Sequence, residues 1–218
     1  MTLTCTRIVL SGALFMLAVP GDGGAQTVEQ LVPNRVRVES VDYRGKRAIK
    51  VVEDGQVPNG EAYAVVKGPP FHNGTIEVEL AGQPAKSAGE GARGFIGVAF
   101  RLRDGKFEYI YLRPTNGRAD DQVRRNHSTQ YSSFPDFDFA RLRKESPEKY
   151  ESYVDLEPGV WTRVRIAVQG TTARLFVHGA TQPALVVNDL KLGDAPGGVA
   201  LWIGPGTEGF FTGLTIKP

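Results

Sequence analysis

The sequence predicts an all-β chain, folded as a two-sheet antiparallel jelly-roll sandwich, and three observations carry that prediction. Apolar and polar residues alternate at period two in segment after segment, while helical periodicity is scarce. Glycine (26) and proline (14) are abundant in 218 residues, and only 23% of residues are charged, which favours many turns over long helices. Turn chemistry recurs between the alternating segments. With 41% hydrophobic residues the chain can bury a sizeable core, and its length suits one domain.

The N-terminus reads differently from the rest. One basic residue, Arg7, precedes an apolar run from Ile8 to Val19 that is broken only by Ser11 and Gly12. Pro20 and the small residues Gly21 to Ala25 follow, with an acid, Asp22, among them. This is the layout of a secretory leader over residues 1–25, cleaved before Gln26, with residues 26–218 as the single mature domain. The run is shorter than the roughly 20 residues a spanning helix needs, so no membrane span is expected in the mature chain. A periplasmic or secreted location follows. The sole cysteine, Cys5, leaves with the leader, so burial rather than disulfides must stabilise the fold.

Strands are expected where the alternation is clean. Arg35–Val38 and Thr75–Leu80 alternate strictly, and further strands are expected over 47–53, 61–67, 94–103, 106–113, 161–169, 172–178, 184–192, 197–204 and 209–217. Asp54-Gly55, Pro58-Asn59-Gly60, Lys67-Gly68-Pro69-Pro70, Asp104-Gly105, Glu157-Pro158-Gly159 and Gln169-Gly170 supply turns between them. Pro114–Lys149 is the exception, about 36 residues without strand alternation, a length that is usually functional or disordered. Its Arg, Asn, His, Gln and aromatic content predicts one long ordered loop over the concave face. A helical turn or two is expected near Phe139–Lys144.

The hairpin Gly94–Arg113 allows two registers, and a one-residue slip exchanges its faces. A three-residue loop, Arg103-Asp104-Gly105, pairs Ile96 with Leu112 and Val98 with Ile110 on one face. The other face then sets Gly97 against Tyr111 and Ala99 against Tyr109, and this register is preferred because it segregates the aliphatics. Val164, Ile166 and Val168 alternate with Arg163, Arg165 and Ala167, while Val199, Leu201 and Ile203 alternate with Ala200 and Trp202. If these elements share a sheet, its non-core face carries Arg101, Tyr109, Tyr111, Arg113 and Trp202 over a floor of small residues. Aromatic plates flanked by hydrogen-bond donors suit a sugar; packing under the long loop as a second core explains the same residues equally well.

The long loop concentrates the reactive side chains. His127 is placed as a general base, because its ordinary pKa lies near neutrality, with Asp121 exchanging protons beside it. Arg113 and Arg125 would hold a carboxylate or an oxyanion, and Asn116, Asn126, Gln130 and Tyr131 would read hydroxyls. A self-supporting loop with internal Arg–Asp pairs is the alternative. Glu108 falls on the core side opposite Phe100 and would need a partner, with Arg143 or Arg163 as candidates; Glu151 is the other carboxylate in this class. Ala140–Glu145 reads as a solvated basic turn.

Other chemistry is thinly represented. The three histidines, His72, His127 and His178, lie far apart with no metal-ligand spacing, so no metal site is expected. No glycine-rich loop precedes a helix, and no cofactor is expected. A formal charge of +2 gives no overall basic field for nucleic acid. Residues 93–125 nevertheless hold eight basic and four acidic side chains, a local excess beside the tyrosines.

Four fragments carry a resemblance. Phe71–Glu79 (FHNGTIEVE), Gly94–Arg101 (GFIGVAFR), Trp161–Ile166 (WTRVRI) and the closing Gly197–Ile216 resemble the concanavalin-A-like lectin/glucanase superfamily. The laminin-G-like and bacterial 3-keto-disaccharide hydrolase domains are the most similar branches. The resemblance spans nearly all of residues 26–218 and marks mostly strands and turns. It implies a two-sheet jelly roll with a concave face and exported, carbohydrate-related work on a saccharide or glycoside, either as a hydrolase-like enzyme or as a lectin-like module. An interaction module for another exported protein is the third reading. No catalytic set carries over residue by residue. Glu77 and Glu79 resemble the start of the acidic strand of family-16 glucanases, E-x-D-x-x-E, but position 82 is Gly82, and an ordinary solvent-exposed face accounts for them better.

Overall fold

A computed structural model describes Met1, residues 27–58 and residues 60–218. Apart from Met1, the expected leader lies outside the described residues. Among the described residues the strands are β1 (Leu31–Asn34), β2 (Val36–Tyr43), β3 (Lys46–Glu53), β4 (Tyr63–Phe71), β5 (Gly74–Pro84), β6 (Ile96–Arg103), β7 (Lys106–Leu112), β8 (Thr129–Phe134), β9 (Glu151–Ser152), β10 (Thr162–Gln169), β11 (Thr172–Val177), β12 (Leu185–Val187), β13 (Gly197–Ile203) and β14 (Thr207–Lys217). Short 3-10 turns cover Val28–Gln30 and Pro114–Asn116, and two short helices follow, α1 (Gln122–Asn126) and α2 (Phe139–Glu145).

The strands form two antiparallel seven-stranded sheets. The first has the order β1-β4-β13-β6-β7-β8-β9 and the second β12-β11-β10-β5-β14-β3-β2. Alternation puts Ile96, Val98 and Phe100 of β6, with Ile110 of β7, on the side facing the second sheet. They share one core with Ile49, Ile76, Val78, Leu80 and Ile166, all essentially out of water. Each such side chain contributes about 1.5–3 kcal/mol of burial, so this layer, without disulfides, can hold the sandwich together. The jelly-roll expectation is met.

The register preferred for the 94–113 hairpin is also the observed one: Ile96 pairs with Leu112, Gly97 with Tyr111 and Ala99 with Tyr109. The device that sets it differs from the expected three-residue loop. Arg103 pairs with Lys106, so the loop is the two residues Asp104-Gly105, both left-handed at φ 50° and 72°. The offset arises one step earlier, where the register shifts between Phe100 and Arg103 and two residues, Arg101 and Leu102, oppose Phe107 alone. Arg101 sits in this bulge at φ 55°, a conformation that redirects its side chain.

Two further expectations are corrected. β10 belongs to the second sheet, paired with β5 as Val164 with Val78 and Ile166 with Ile76. Arg163 and Arg165 therefore cannot share a face with Tyr111 and Trp202. Pro114–Lys149 is not one loop: β8 lies inside it and pairs along its whole length with β7, Gln130 opposite Tyr111 and Tyr131 opposite Ile110. β8 is covered on both faces, so Thr129, Gln130, Ser132 and Ser133 are buried and the alternation that betrays a strand is missing. The helical turns near Phe139–Lys144 are present as α2, begun by Asp138, whose side chain accepts the Arg141 amide at 2.8 Å.

A cleft over the first sheet

A cleft of about 1160 Å³ opens on the face of the first sheet that points away from the core. Its floor follows from the hairpin register. Gly97 of β6 lies between Tyr111 of β7 and Trp202 of β13, so the two rings approach to 4.9 Å over the bare backbone. A Cβ at Gly97 would sit 2.2 Å from the Ile110 carbonyl oxygen, which only glycine permits. Ala99 and Ala200 leave similar room beneath Tyr109, whose ring stacks on Tyr111 at 5.4 Å and lies 5.0 Å from Trp202. The Trp202 indole donates to the Gly60 carbonyl at 3.1 Å, which fixes its tilt. Mutual packing leaves these rings little open surface: Tyr109 is 7% exposed, Tyr111 4% and Trp202 3%.

The walls come from connections. Gly89, Gly91, Ala92, Arg93 and Phe95, before β6, and Pro205-Gly206, after β13, form one part of them. Another part is built from α1 and α2. Asp121 caps α1, its Oδ1 accepting the Arg124 amide at 2.7 Å, and the helical period then turns Val123, Arg124 and His127 toward the cleft. Phe139 and Arg143 of α2 complete this wall.

One carboxylate organises the cations there. Glu151 of β9 is nearly buried and accepts from Arg113 Nη1 at 3.0 Å and from Arg143 Nε at 2.7 Å. Arg113 also donates to the His127 carbonyl, to the Tyr111 hydroxyl and to Gln130 Oε1, at 2.9–3.0 Å. His127 Nε2 lies 3.7 Å from Glu151 Oε2, and its side chain keeps 22% exposure toward the cleft. Burial alone would raise the Glu151 pKa, but the Arg143 hydrogen bond and the charges of Arg113, Arg143 and His127 outweigh it and hold it below the usual carboxylate range. Burial, reinforced by Arg143 and Arg113 against the opposing pull of Glu151, lowers the His127 pKa, so its imidazole is neutral at neutral pH. Burial raises the Tyr111 phenol and keeps it protonated.

Of the residues singled out in the sequence, Tyr109, Tyr111, Arg113, Asn116, Asp121, His127 and Trp202 line this one cleft. Five others lie elsewhere. Arg101, redirected by its bulge, is 1% exposed and donates to the carbonyls of His72 and Gly193 and to Asp194. Arg125 lies over the Tyr153 ring at 5.4 Å, and Asn126 accepts from Gln122 at 2.8 Å, both on the side of α1 turned from the cleft. Gln130 is buried beneath Arg113. Tyr131 faces the sandwich core, donating from its hydroxyl to Glu108 Oε2 at 2.7 Å.

The carboxylates also change roles. Asp121 lines the cleft but serves as the cap of α1, and the acid facing His127 is Glu151. Glu108 is opposite Phe100 and buried as expected, yet its partners are Tyr131 and the Leu192 amide rather than Arg143 or Arg163. Arg143, read as part of a solvated turn, reaches into the cleft. Glu77 pairs with Arg163 and Glu79 with Lys46, the ordinary use expected of that face. Asp121 three residues before Arg124 is the signal that places Val123, Arg124 and His127 on one helical face.

No protein-family model and no curated protein matches the chain in sequence. Solved structures do match in fold. The carbohydrate-binding module CBM66 from Bacillus subtilis is 9% identical, with a TM-score of 0.56 over 85% of this chain and 94% of that one. A Bacillus subtilis protein of unknown function with a galectin-like fold is 11% identical, with a TM-score of 0.52 over 86% of this chain and 88% of that one. The likeness is one of fold, the two-sheet antiparallel sandwich. No helix among the described residues is long and apolar enough to cross a membrane.

Proposed function

We propose that this chain is an exported carbohydrate-active domain that binds a saccharide across the cleft, with His127 as the base that cleaves a glycoside there. The observation that supports this most directly is the juxtaposition of a neutral His127 with Glu151, Arg113 and Arg143 above the Tyr109–Tyr111–Trp202 floor. The name of the Bacillus subtilis carbohydrate-binding module adds to the saccharide reading. Two-carboxylate hydrolysis fits poorly, because it needs one protonated carboxyl beside the bond. Asp121 is engaged as a helix cap, and Glu151 is held ionised by two guanidiniums.

Elimination from a keto-glycoside fits better. The imidazole removes the proton from the carbon beside the ketone, and that electron pair moves onto the carbonyl oxygen to give an enolate. The enolate then expels the glycosidic oxygen, which takes the proton back from the imidazolium. Arg143, part exposed at the cleft wall, is the guanidinium placed to face the enolate charge.

A non-catalytic, lectin-like module is the second reading, and the engagement of both carboxylates is the observation in its favour. Turnover on a panel of glycosides and 3-keto-glycosides, with wild type against His127→Ala, separates the two. Turnover that vanishes in the variant while binding persists supports the enzyme. Binding without turnover of any member supports the module, and no binding of any saccharide overturns both in favour of a protein-interaction role. Export is tested by fractionation and N-terminal sequencing, with Gln26 expected as the first mature residue.

A further inference from the structure

The cleft carries more cation than anion. Arg93, Arg113, Arg124 and Arg143 all line it, and among the described residues Asp121 is the only carboxylate-bearing one in the lining. Arg113 and Arg143 share the single charge of Glu151. Among the described residues the Arg124 side chain donates only to uncharged acceptors, Asn116 Oδ1 at 2.9 Å and the carbonyl and hydroxyl of Thr115. Arg93 likewise donates only to carbonyls, those of Glu90 and Ala92. Partial burial lowers the Arg93 pKa, and the neighbouring charges of Arg124 and Arg113 lower it further, so these guanidiniums are close enough to repel. Convergent cations in a partly desolvated cleft raise the energy of the empty site, and an entering oxyacid relieves it.

We propose that the saccharide taken by this cleft carries an anionic group, a uronate carboxylate or a sulfate ester, seated between Arg93 and Arg124. The proposal rests on the saccharide reading above and adds the chemical class of the sugar. Guanidinium offers a planar pair of donors to either oxyanion, so the two sources share their recognition chemistry.

Isothermal titration of the full domain tests it with trigalacturonate, its methyl ester, a sulfated trisaccharide and its unsulfated parent. At least one anionic ligand should bind about tenfold or more tighter than its neutral counterpart, the worth of one charge-assisted hydrogen bond. Added salt should shrink that margin. Whichever anionic ligand shows the larger margin identifies the source. Arg93→Gln should remove most of the margin, while Arg163→Gln on the far sheet leaves it intact. Equal binding of neutral and anionic ligands overturns the anion site and leaves the saccharide cleft standing. Equal loss in both variants means diffuse polyanion attraction and also overturns it. No binding of any saccharide overturns this proposal together with the reading beneath it.

Discussion

Arg113 and Glu151 form an ion pair at 3.0 Å in which the two side chains are only 5% and 3% exposed. Arg143 takes the same carboxylate from the cleft side, and His127 faces it at 3.7 Å. The pair thus ties strand β9 to the end of β7 and sets the electrostatics of the one imidazole in the cleft.

Replacing Glu151 with Gln removes the anion and leaves Arg113 buried with neutral partners only. The expected loss is about 3–5 kcal/mol of stability, the range for breaking a buried pair from one side. Urea unfolding measures it. The same substitution should lower the His127 pKa further, because burial, Arg143 and Arg113 push it down and Glu151 is the larger of the two acids, with Glu148, that pull it up. An NMR titration in which the His127 pKa rises would contradict this account of the site.

Arg101 should be structural and only structural. Its guanidinium donates to the carbonyls of His72 and Gly193 at the sandwich edge, so Arg101→Met removes charge-assisted hydrogen bonds worth about 1.5–3 kcal/mol each. Thermal unfolding should drop, while ligand binding in the cleft stays at the wild-type affinity once the protein is folded. A binding loss larger than the unfolded fraction explains would return Arg101 to the site.

These two arginines show what the sequence made legible and what it hid. Alternation and turn chemistry located eleven strands, although the one expected over 184–192 is only Leu185–Val187, and the pairing of small residues with rings selected the correct 94–113 register. That register was enough to put Tyr111 and Arg113 over one floor with Trp202. Arg101 was misplaced because a bulge breaks period-two counting, and nothing in a run as regular as Val98 to Arg103 announces it. β8 was invisible for a different reason: buried on both faces by polar packing, Thr129–Ser133 has no apolar stripe. Arg125 and Asn126 were assigned to the cleft by proximity to His127 in sequence, whereas α1 turns them away and brings Arg124 in. Glu151 lies 24 positions from His127, in a two-residue strand, and only the pairing of β9 with β8 brings them together.

Gly97→Ala tests the floor directly. A Cβ there meets backbone on β7, the Ile110 carbonyl oxygen at 2.2 Å and Tyr111 Cα at 2.6 Å, so the strands must part. About 1–3 kcal/mol of destabilisation is expected, together with a change in the near-UV signal of Tyr111 and Trp202. Gly198→Ala on β13 is the matched control, since its nearest contacts begin at 3.6 Å. That variant should be neutral or gain up to about 1 kcal/mol from the stiffer unfolded chain. Equal behaviour of the two variants would remove the steric argument for the Tyr111–Trp202 approach.

Glu108 makes stability depend on pH in a direction opposite to that of a surface ion pair. Its carboxyl is fully buried, with Oε2 accepting the Tyr131 hydroxyl and Oε1 the Leu192 amide, each at 2.7 Å. Burial raises its pKa, and these two hydrogen bonds recover only part of the shift. The folded protein therefore holds a proton that the unfolded chain releases. Glu108 contributes its full stabilisation below the ordinary carboxylate pKa and loses it as pH rises through the raised folded value. Glu108→Gln cannot titrate, and every other group cancels in the comparison. The stability of wild type relative to Glu108→Gln should accordingly fall as pH rises from the ordinary carboxylate pKa through the raised folded one, by about 1.4 kcal/mol for each unit of upward shift. Denaturant melts across that range measure the difference. A difference that stays flat, or grows in favour of wild type as pH rises, would mean that Tyr131 and Leu192 stabilise the ionised carboxylate more than burial penalises it.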